Sequence, residues 1–179
     1  MKRIVWQNKS NGQLCVTIPK NSGIKDGDIV TIEKEKVKKV VYSSVTGDLF
    51  HYGHLRLLQN ANEEGDLHIC GVLTDEAIHT YKKGPIAKFK ERSAIISDLR
   101  CVDMVMRQET LDPTTNLKKI HQDFPRAKMV LIYGSNWDKI PGEKYAKKIG
   151  AEIIQPPFYP KLSTEKVIKK ILKVWEAKK

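Results

Sequence analysis

Cysteines are few in this chain, and long apolar runs are missing. Cys15, Cys70 and Cys101 are widely spaced and form no C-x-x-C pair, which argues against a disulfide framework and a thiolate zinc site. No apolar stretch approaches the roughly 18 residues that cross a membrane. The opening residues, MKRIVWQNKSNGQ, turn polar too soon for a secretory signal. We therefore expect a cytoplasmic protein with no membrane partner.

What the chain has in excess is positive charge, since 32 Lys and Arg against 21 Asp and Glu give a formal net charge of +11. Nucleic acid is the first partner to consider for a basic protein. The charge is spread out, however: residues 1–39 hold nine basic and four acidic residues, and the rest holds 23 and 17. A basic cleft for a phosphate-rich small substrate is the other explanation, and part of the lysine simply keeps the surface solvated.

The pattern of apolar residues divides the chain into two parts. The first part alternates apolar and polar residues in RIVWQ, QLCVTIP and DIVTIEKEKVKKVV, which predicts three short strands in a small β-rich module over residues 1–38. From residue 39 to 179, strand and helix patterns alternate, which predicts an α/β domain with a doubly wound parallel sheet of five strands.

The predicted strands of the larger domain lie near 39–45, 67–73, 103–107, 128–133 and 151–155, and the predicted helices at 54–64, 88–99, 115–123, 142–149 and 163–177. In the last helix the amphipathic pattern predicts that Val167, Ile171, Leu172 and Trp175 pack inward. Ligands of such sheets bind outside the carboxyl ends of the strands, where the winding direction reverses. The segments TGDLFHYGH, GSNWD and PPFYPKLST follow predicted strands, so we expect them to meet in one cleft.

His51 and His54 lie three residues apart at a predicted helix start, so both imidazoles can face one bound group. A helix N-terminus with a glycine at position 53 suits a phosphate. Two other interpretations are open on these residues alone. One is a capped helix start with two half-exposed histidines, and the other is a zinc site completed by His68, Cys70 or His79.

The motif His51-Tyr52-Gly53-His54, preceded by Asp48, resembles the H-x-G-H signature of nucleotidyltransferases, and its context resembles the cytidylyltransferase branch. Four further segments are similar to family motifs in the same order: GVLTDEAIHTYKKGP, KERSAIISDLRCVD, YGSNWD and LSTEKVIKKI. Together they span about residues 40–174 and imply a Rossmann-like nucleotidyltransferase fold. Within the family the chain resembles glycerol-phosphate and ethanolamine-phosphate cytidylyltransferases, and most of all the nucleotidyltransferase domains of phosphonate biosynthesis.

The resemblance implies transfer of CMP from CTP to a small phosphate- or phosphonate-bearing alcohol or amine, with release of pyrophosphate and no covalent enzyme intermediate. Mg²⁺ or another divalent cation would neutralise the phosphates. The alternatives are adenylyl transfer from ATP to a flavin or sugar phosphate, and a DNA-binding regulator whose α/β domain senses a ligand.

By the same resemblance, the site residues fall into three groups. The catalytic group is His51, His54, Lys83 and Arg100. The nucleotide-binding group is Thr46, Gly47, Asp48, Gly53, Lys82, Arg92, Gly134, Asn136, Trp137, Ser163 and Thr164. The substrate-binding group is Asp103 and Lys161, and no residue is assigned as a protein metal ligand.

Three departures from the family pattern leave the base and the acceptor open. The family arginine before the S-T pair has no counterpart, because its place falls near Phe158, although Lys161 is a substitute without the bidentate fork. The first glycine of the family's G-x-F-D is Val45 here, with Gly47 two positions later. The two acids of the G-D-D-W turn are Ser135 and Asn136.

The N-terminal stretch NKSNGQLCVTIPKNSGIKDGDIVTIEKE is similar to the swapped-hairpin domain of AbrB-like transcription factors. Domains of that family form intertwined dimers and bind DNA, which makes Lys2, Arg3, Lys9 and Lys20 the candidate phosphate contacts. The short helix that follows I-P-K in that family has no room in KNSGI. We therefore expect a homodimerisation or stability module rather than a DNA-binding one.

Overall fold

The structure, a computed structural model, describes residues 5–8, 10–31 and 36–176. The chain forms two compact units, Met1–Lys36 and Val37–Lys179. Each unit is described by itself.

The first unit contains a short antiparallel pair, β1 (Trp6–Gln7) and β2 (Leu14–Cys15), with Trp6 opposite Cys15. The Asn8 side chain accepts a hydrogen bond from the Ser10 amide at 3.0 Å, which stabilises the connecting turn. A single 3₁₀ turn, Lys20–Ser22, ends at Gly23 with φ of 79°.

Only part of what was expected of the first unit can be compared with the structure. In the predicted third strand, residues 28–31 are not in a strand and residues 32–35 lie outside the described residues. Lys20 is exposed, whereas Lys2, Arg3 and Lys9 also lie outside the described residues. The resemblance to AbrB-like domains stays a prediction.

The second unit contains a five-stranded parallel sheet in the order β5-β4-β3-β6-β7. Its elements in chain order are β3 (Lys39–Val45), α1 (Tyr52–Glu63), β4 (Leu67–Leu73), α2 (Asp75–His79), α3 (Phe89–Ser97), β5 (Met104–Gln108), α4 (Thr114–Asp123), β6 (Lys128–Ile132), α5 (Glu143–Lys148), β7 (Glu152–Ile154) and α6 (Thr164–Glu176). The predicted doubly wound α/β fold is therefore confirmed.

The core lies on the central strands β3 and β4, where almost every residue is buried. Strands covered on both faces need near-continuous apolar runs, and KVVYSSV and LHICGVL are such runs apart from a few small or hydrogen-bonded polar residues. Leu58 of α1 and Ile96 of α3 pack with Cys70 and Val72 of β4 in the largest apolar cluster of the described core.

Two buried polar networks fix the centre of the sheet. The Tyr42 hydroxyl donates to the Gln108 carbonyl oxygen at 2.7 Å and accepts from the Asn116 amide at 2.9 Å. His68 contacts the Cys101 carbonyl through Nδ1 at 2.5 Å and the Ser43 hydroxyl through Nε2 at 2.7 Å. A carbonyl can only accept, so Nδ1 carries the proton and Nε2 accepts from Ser43. Both nitrogens of His68 are used, which removes it from the zinc alternative.

Two features differ from the sequence-based expectation. The short helix α2 was not predicted, because five residues are too few to show a helical period. In α6 the apolar residues beyond Ile168 do not pack inward: Leu172 and Ile171 are 55% exposed and Trp175 is 66% exposed. Among the helices of the described residues, none is both long and apolar enough to span a bilayer.

Candidate active site

A cleft of about 860 Å³ opens at the carboxyl edge of the sheet. The chain winds outward from β3 to β4 and β5, then crosses back to β6 and β7, so the winding reverses between β3 and β6. Residues that follow β3, β6 and β7, the loop after α2, and the first residues of α1 and α6 line the cleft. The site is therefore where parallel α/β sheets bind ligands.

His51 and His54 form one unit at the start of α1. His51 is the N-cap residue, and its Nδ1 accepts a hydrogen bond from the Gly53 amide at 3.1 Å. The Nδ1 atom of His54 faces the His51 amide at 3.4 Å in return. The two rings stack with centroids 3.9 Å apart and planes 17° from parallel. Helix capping, one of the interpretations that the sequence left open, is thus present.

These contacts fix the tautomer of both rings. Because Nδ1 of each ring accepts from a backbone N–H, the neutral ring carries its proton on Nε2. Burial, His51 and Lys82 together lower the pKa of His54 to about 4, and burial also lowers the pKa of His51. Near neutral pH both side chains are uncharged donors, and both line the cleft.

Lys82 and Lys83 bring positive charge to the cleft from the loop that follows α2. Asp48 anchors this loop, since its two carboxylate oxygens accept from the amides of Ile86 and Ala87, each at 3.0 Å. Asp48 belongs to the same segment as the histidine pair. The two phosphate-binding candidates, the lysine loop and the histidine segment, are therefore hydrogen-bonded to each other.

The first turn of α6 supplies a second helix N-terminus. The Ser163 hydroxyl accepts from the Lys166 amide at 3.3 Å, as an N-cap side chain does. A Cβ atom at Gly53 would lie 3.6 Å from the Leu162 carbonyl, so α1 and α6 start side by side. Ser163 and Thr164 line the cleft, and the N-terminus of α6 is a suitable place for an anion.

The turn after β6 forms the β6–β7 side of the cleft. The Gln155 amide donates to the carbonyls of Gly134 at 3.3 Å and Trp137 at 2.9 Å, which holds this turn against the end of β7. The Trp137 ring meets the Tyr133 ring edge-on at 5.6 Å. Gly134 is needed here because a Cβ atom would lie 2.7 Å from Oδ1 of Asn136.

Residues 46–170 match the family described as cytidylyltransferase-like. The chain belongs to the cytidylyltransferase-like family. It is a nucleotidyltransferase-type enzyme, as the H-x-G-H motif and its ordered companion segments predicted.

Individual relatives agree with the family assignment. The chain is similar to the "Bifunctional protein HldE" of Geobacter sulfurreducens, with 32% identity over 151 residues that cover 82% of this chain and 30% of the relative. It is also similar to the protein of the same name from Citrifermentans bemidjiense, with 31% identity over 160 residues that cover 85% of this chain and 32% of the relative. The chain thus spans about a third of the length of these relatives.

A solved structure from Thermoplasma volcanium, described as a lipopolysaccharide core biosynthesis protein, shares the fold with a TM-score of 0.53 and 22% identity. The likeness covers 69% of this chain and 98% of that chain. At this identity it supports the cytidylyltransferase-like fold and nothing about the ligand.

The structure brings most of the expected cytidylyltransferase-like site residues into the cleft. Those lining it are Thr46, Asp48, His51, Gly53, His54, Lys82, Lys83, Gly134, Asn136, Trp137, Ser163 and Thr164. They come from four separate stretches of sequence, and the switch point of the sheet is what places them together.

Arg92 has a different role from the nucleotide contact that was expected. Its side chain is 0% exposed, and its guanidinium donates to the carbonyls of Ala87 and Thr46 and to the carboxylate of Asp75. A guanidinium with no exposed surface and three acceptors within the protein is not open to a phosphate in the cleft. Arg92 instead ties together three segments that border the site.

Arg100, Asp103 and Lys161 are outside the lining of the cleft. Arg100 and Asp103 precede β5 and so lie at the amino edge of the sheet, where Asp103 accepts from the His68 amide at 2.8 Å. Arg100 and Asp103 are therefore not brought into the cleft, which lies at the carboxyl edge, and the expected catalytic role of Arg100 and substrate contact of Asp103 stay predictions. Lys161 is exposed in the segment before α6.

Gly47 supports the cleft from below. Its φ is 68°, and a Cβ atom would lie 2.6 Å from Cδ1 of Ile96. The residue therefore allows the histidine segment to turn sharply while α3 packs closely beneath it.

The donor set fits a magnesium ion that arrives with the triphosphate. In the described residues no group of three His, Cys, Asp or Glu side chains is placed to hold a metal, and both oxygens of Asp48 already accept from amides. Mg²⁺ commonly binds substrate phosphates with only one or two protein carboxylates. Such an ion, when bound, would neutralise charge on the leaving pyrophosphate.

Several cleft residues were not found from the sequence, among them Arg56, Tyr81, Tyr133 and Tyr159. Arg56 lies over the Tyr159 ring at 5.9 Å, and Tyr52 meets the same ring edge-on at 5.1 Å. Tyr133 had a usable signal, because it is the first residue after an apolar strand that precedes a site segment. The others depend on helix orientation and loop path, which one sequence does not indicate.

Proposed function

We propose that the chain transfers CMP from CTP to a small phosphate- or phosphonate-bearing acceptor. The observation that carries the proposal is the stacked pair of His51 and His54, in which each Nδ1 is engaged by a backbone amide and both residues line the cleft. The pair shares the cleft with Lys82 and Lys83, and with the first turn of α6.

In the proposed reaction an acceptor phosphate or phosphonate oxygen attacks the α-phosphorus of CTP in line. A new P–O bond forms while the bond from the α-phosphorus to the bridging oxygen breaks, and pyrophosphate leaves with the electron pair. Such chemistry depends on positioning and charge stabilisation rather than on a protein nucleophile. No covalent intermediate on the protein is needed.

Each group of the cleft has a defined task in this scheme. The Nε2–H donors of His51 and His54 stabilise charge on the α-phosphate oxygens as the fifth bond forms. Lys82 and Lys83 hold the β- and γ-phosphates, whose charge rises as pyrophosphate departs. Ser163, Thr164 and the free amides of α6 bind the same phosphates from the other side. Gly134, Asn136 and Trp137 hold the nucleoside.

The neutral state of the histidines suits this task. A neutral imidazole can donate its Nε2–H bond without transferring the proton to an attacking or leaving oxygen. It keeps this role across the pH range in which His54 stays uncharged. The charge that balances the triphosphate comes from the two lysines and the bound cation instead.

ATP is the competing nucleotide, because the two family acids at the turn after β6 are Ser135 and Asn136 here. A binding titration of CTP against ATP, each with Mg²⁺, distinguishes the two. We expect tighter binding of CTP, while preference for ATP would make the chain an adenylyltransferase.

The reaction itself is tested by following pyrophosphate release from each of the four nucleoside triphosphates in the presence of Mg²⁺ and a panel of phospho-alcohols and phosphonates. Release that requires both CTP and an acceptor is the expected result. Release with no pair, together with salt-sensitive DNA binding, would instead support a regulator that uses the α/β fold as a ligand sensor.

We also propose that the chain is a homodimer, as expected from the N-terminal resemblance. In α6 the exposed apolar residues are Ile171, Leu172, Val174 and Trp175, and a second copy of the chain that covered them would remove this surface from water. Light scattering coupled to size exclusion tests the stoichiometry. Leu172→Ser with Trp175→Ser is expected to shift a dimer towards monomer, with Lys170→Ser as the control.

A further inference from the structure

The cleft has a second part, on the β4–β5 side of the histidines, that the proposed roles leave unassigned. We call this part the tyrosine subsite. Its residues lie at or after the carboxyl ends of β3, β4, β5 and β6, in α2 and in the loop that follows α2. They are Ser44, Leu73, Ile78, Tyr81, Leu111 and Tyr133. In the sheet order the nucleoside residues follow β6 and β7, whereas most of the subsite is on the other side of β3. Most of the subsite is therefore separated from the nucleoside residues by β3, and Tyr133 borders both regions, since its ring meets Trp137 edge-on.

The walls of the tyrosine subsite are mostly apolar and firmly packed. Leu73 and Ile78 belong to one buried cluster, and Tyr81 and Leu111 pack against it. Such walls do not adapt easily to a charged group, but they accommodate the carbon skeleton of a small ligand.

The Tyr133 hydroxyl is the exception in this apolar setting. Tyr133 is 3% exposed, and its hydroxyl has no hydrogen-bond partner among the described residues. Burial raises the pKa of Tyr133, so the hydroxyl keeps its proton, while the nearby Ser44 and Gln108 offset part of that rise and Asp112 adds to it. These neighbours place the hydroxyl on the subsite side of the ring. A buried hydroxyl without a partner is unfavourable, and a ligand that bonds to it recovers that free energy.

Gln108, one of the two polar side chains next to this hydroxyl, has little capacity left to bond to it. The Gln108 amide donates to the carbonyls of Thr110 at 2.8 Å and Leu111 at 3.0 Å, and its oxygen accepts from Tyr42. Gln108 is thus held in place by its own bonds. The contrast with Tyr42 is direct, because that buried tyrosine on the neighbouring strand has two partners for its hydroxyl.

The charges around the subsite select the kind of group it accepts. Both carboxylates that border this side are engaged: Asp112 accepts from the amides of Thr114 at 2.8 Å and Gly142 at 3.2 Å, and Asp48 accepts from Ile86 and Ala87. A buried ammonium group needs a carboxylate partner, and each oxygen of these two acids already accepts a backbone amide, which leaves them fewer lone pairs for an ammonium group than an unbonded carboxylate has. A neutral hydroxyl needs only the Tyr133 hydroxyl.

At the rim, Lys82 lies 5.6 Å from the centre of the Tyr81 ring. A ligand in the subsite can therefore direct an anionic end towards the lysines and histidines while its neutral end faces Tyr133. This is also the orientation that the acceptor needs if its anionic oxygen is to attack the α-phosphorus.

We propose that the tyrosine subsite binds the acceptor of the reaction, and that Tyr133 selects an acceptor bearing a neutral hydroxyl, a phosphorylated or phosphonylated alcohol, over the corresponding amine. This inference rests on the proposed nucleotidyl transfer and adds to it the class of acceptor and the residue that discriminates. Tyr133 is a binding residue in this scheme, and the histidines and lysines carry the chemistry.

The test compares two tyrosine-to-phenylalanine changes that remove the same atom from neighbouring buried positions. Full-length wild type, Tyr133→Phe and Tyr42→Phe are assayed with Mg²⁺, the active nucleoside triphosphate, and four acceptors in two matched pairs. The pairs are 2-hydroxyethylphosphonate with 2-aminoethylphosphonate, and 2-hydroxyethyl phosphate with phosphoethanolamine. Acceptor KM, nucleotide KM, kcat and urea unfolding are measured for each protein.

We expect Tyr133→Phe to raise the KM of the hydroxyl acceptors about 3- to 10-fold, with the nucleotide KM unchanged. Its stability should equal or exceed that of wild type, because the lost hydroxyl has no partner. Tyr42→Phe should lower stability and leave both KM values near wild type. Wild type should prefer the hydroxyl member of each pair.

Three outcomes overturn the inference. Turnover in which Tyr133→Phe leaves the hydroxyl-acceptor KM unchanged would refute the role of Tyr133 while keeping the proposed function. A preference for the amine members would refute the assigned acceptor class, again without affecting nucleotidyl transfer. Absence of turnover with every nucleotide and acceptor would remove the proposed function, and the inference with it.

Discussion

The guanidinium of Arg92 donates to the carboxylate of Asp75 at 2.7 Å, at a position where the arginine has no exposed surface. The same guanidinium donates to the carbonyls of Thr46 and Ala87. It joins the exit of β3, the start of α2 and the end of the lysine loop. These contacts explain how three segments far apart in sequence form one wall beneath the cleft.

Replacing Arg92 should therefore affect folding before it affects ligand binding. Removing one partner of a buried, hydrogen-bonded charge pair typically costs about 3–5 kcal/mol, so we expect Arg92→Ala to lower the free energy of unfolding by about that much in urea denaturation. Lys90→Ala, an exposed change on the same helix, is the control and should be close to neutral. Wild-type stability of Arg92→Ala combined with a raised nucleotide KM would restore the direct-contact hypothesis.

His51 caps α1 and, in the proposed reaction, also stabilises charge on the α-phosphate, and substitutions can separate these roles. Asparagine is a good N-cap residue whose short amide does not reproduce the Nε2–H donor, whereas alanine provides neither. We expect His51→Asn and His51→Ala both to lower kcat by about 10²- to 10³-fold. Only His51→Ala should also lose about 1 kcal/mol of stability, measured by thermal unfolding with circular dichroism. Near-normal turnover in both variants would contradict the phosphate-binding role of His51.

The low pKa of His54 predicts a pH-dependent stability with a definite sign. Burial lowers the pKa from 6.5 to about 4, so between these values the unfolded chain binds more protons than the folded one. Stability should therefore fall as pH drops from about 6.5 to about 4, by about 2–3 kcal/mol for this residue. His54→Gln removes this contribution, and its urea-unfolding free energy should decline less over that interval. An equal decline in wild type and variant would show that His54 titrates normally.

Asp48 should control the order of the lysine loop. Asparagine offers one acceptor oxygen in place of two, so Asp48→Asn loses one of the bonds to Ile86 and Ala87 and costs about 1–2 kcal/mol of local stability. We expect faster tryptic cleavage after Lys82 and Lys83 and a raised nucleotide KM. Asp123→Asn, at the end of α4 and outside the cleft lining, serves as the matched control. Unchanged cleavage rates would show that the loop is held by other contacts.

The sequence predicted the sheet and the central motif well because both have local signals. Buried parallel strands such as KVVYSSV read as apolar runs, and the histidine pair lies next to one of them. The end of α6 was mispredicted for a physical reason, since an amphipathic pattern identifies an apolar face but does not say whether a partner surface covers it. Leu172 and Trp175 have that pattern and yet are exposed.

Some of the expected site residues lie outside the cleft because of the direction of the strand beside them. Arg100 and Asp103 come just before a strand, and their predicted roles needed them at the opposite edge of the sheet. The burial of Arg92 was not predicted either, because a helix period does not distinguish an arginine that points into a cleft from one that is buried beneath it. The unpaired hydroxyl of Tyr133 was not predicted, because the pairing of a hydroxyl depends on three-dimensional packing.

Helix α6 begins in the cleft with Ser163 and Thr164 and continues to the exposed apolar residues up to Trp175. Thirteen helical residues form a rod about 20 Å long. In the proposed scheme, in which the first turn of α6 binds the nucleotide, a molecule that covers the far end and tilts the helix changes nucleotide affinity at the near end. By thermodynamic reciprocity, nucleotide binding must then change the affinity for that molecule by the same factor.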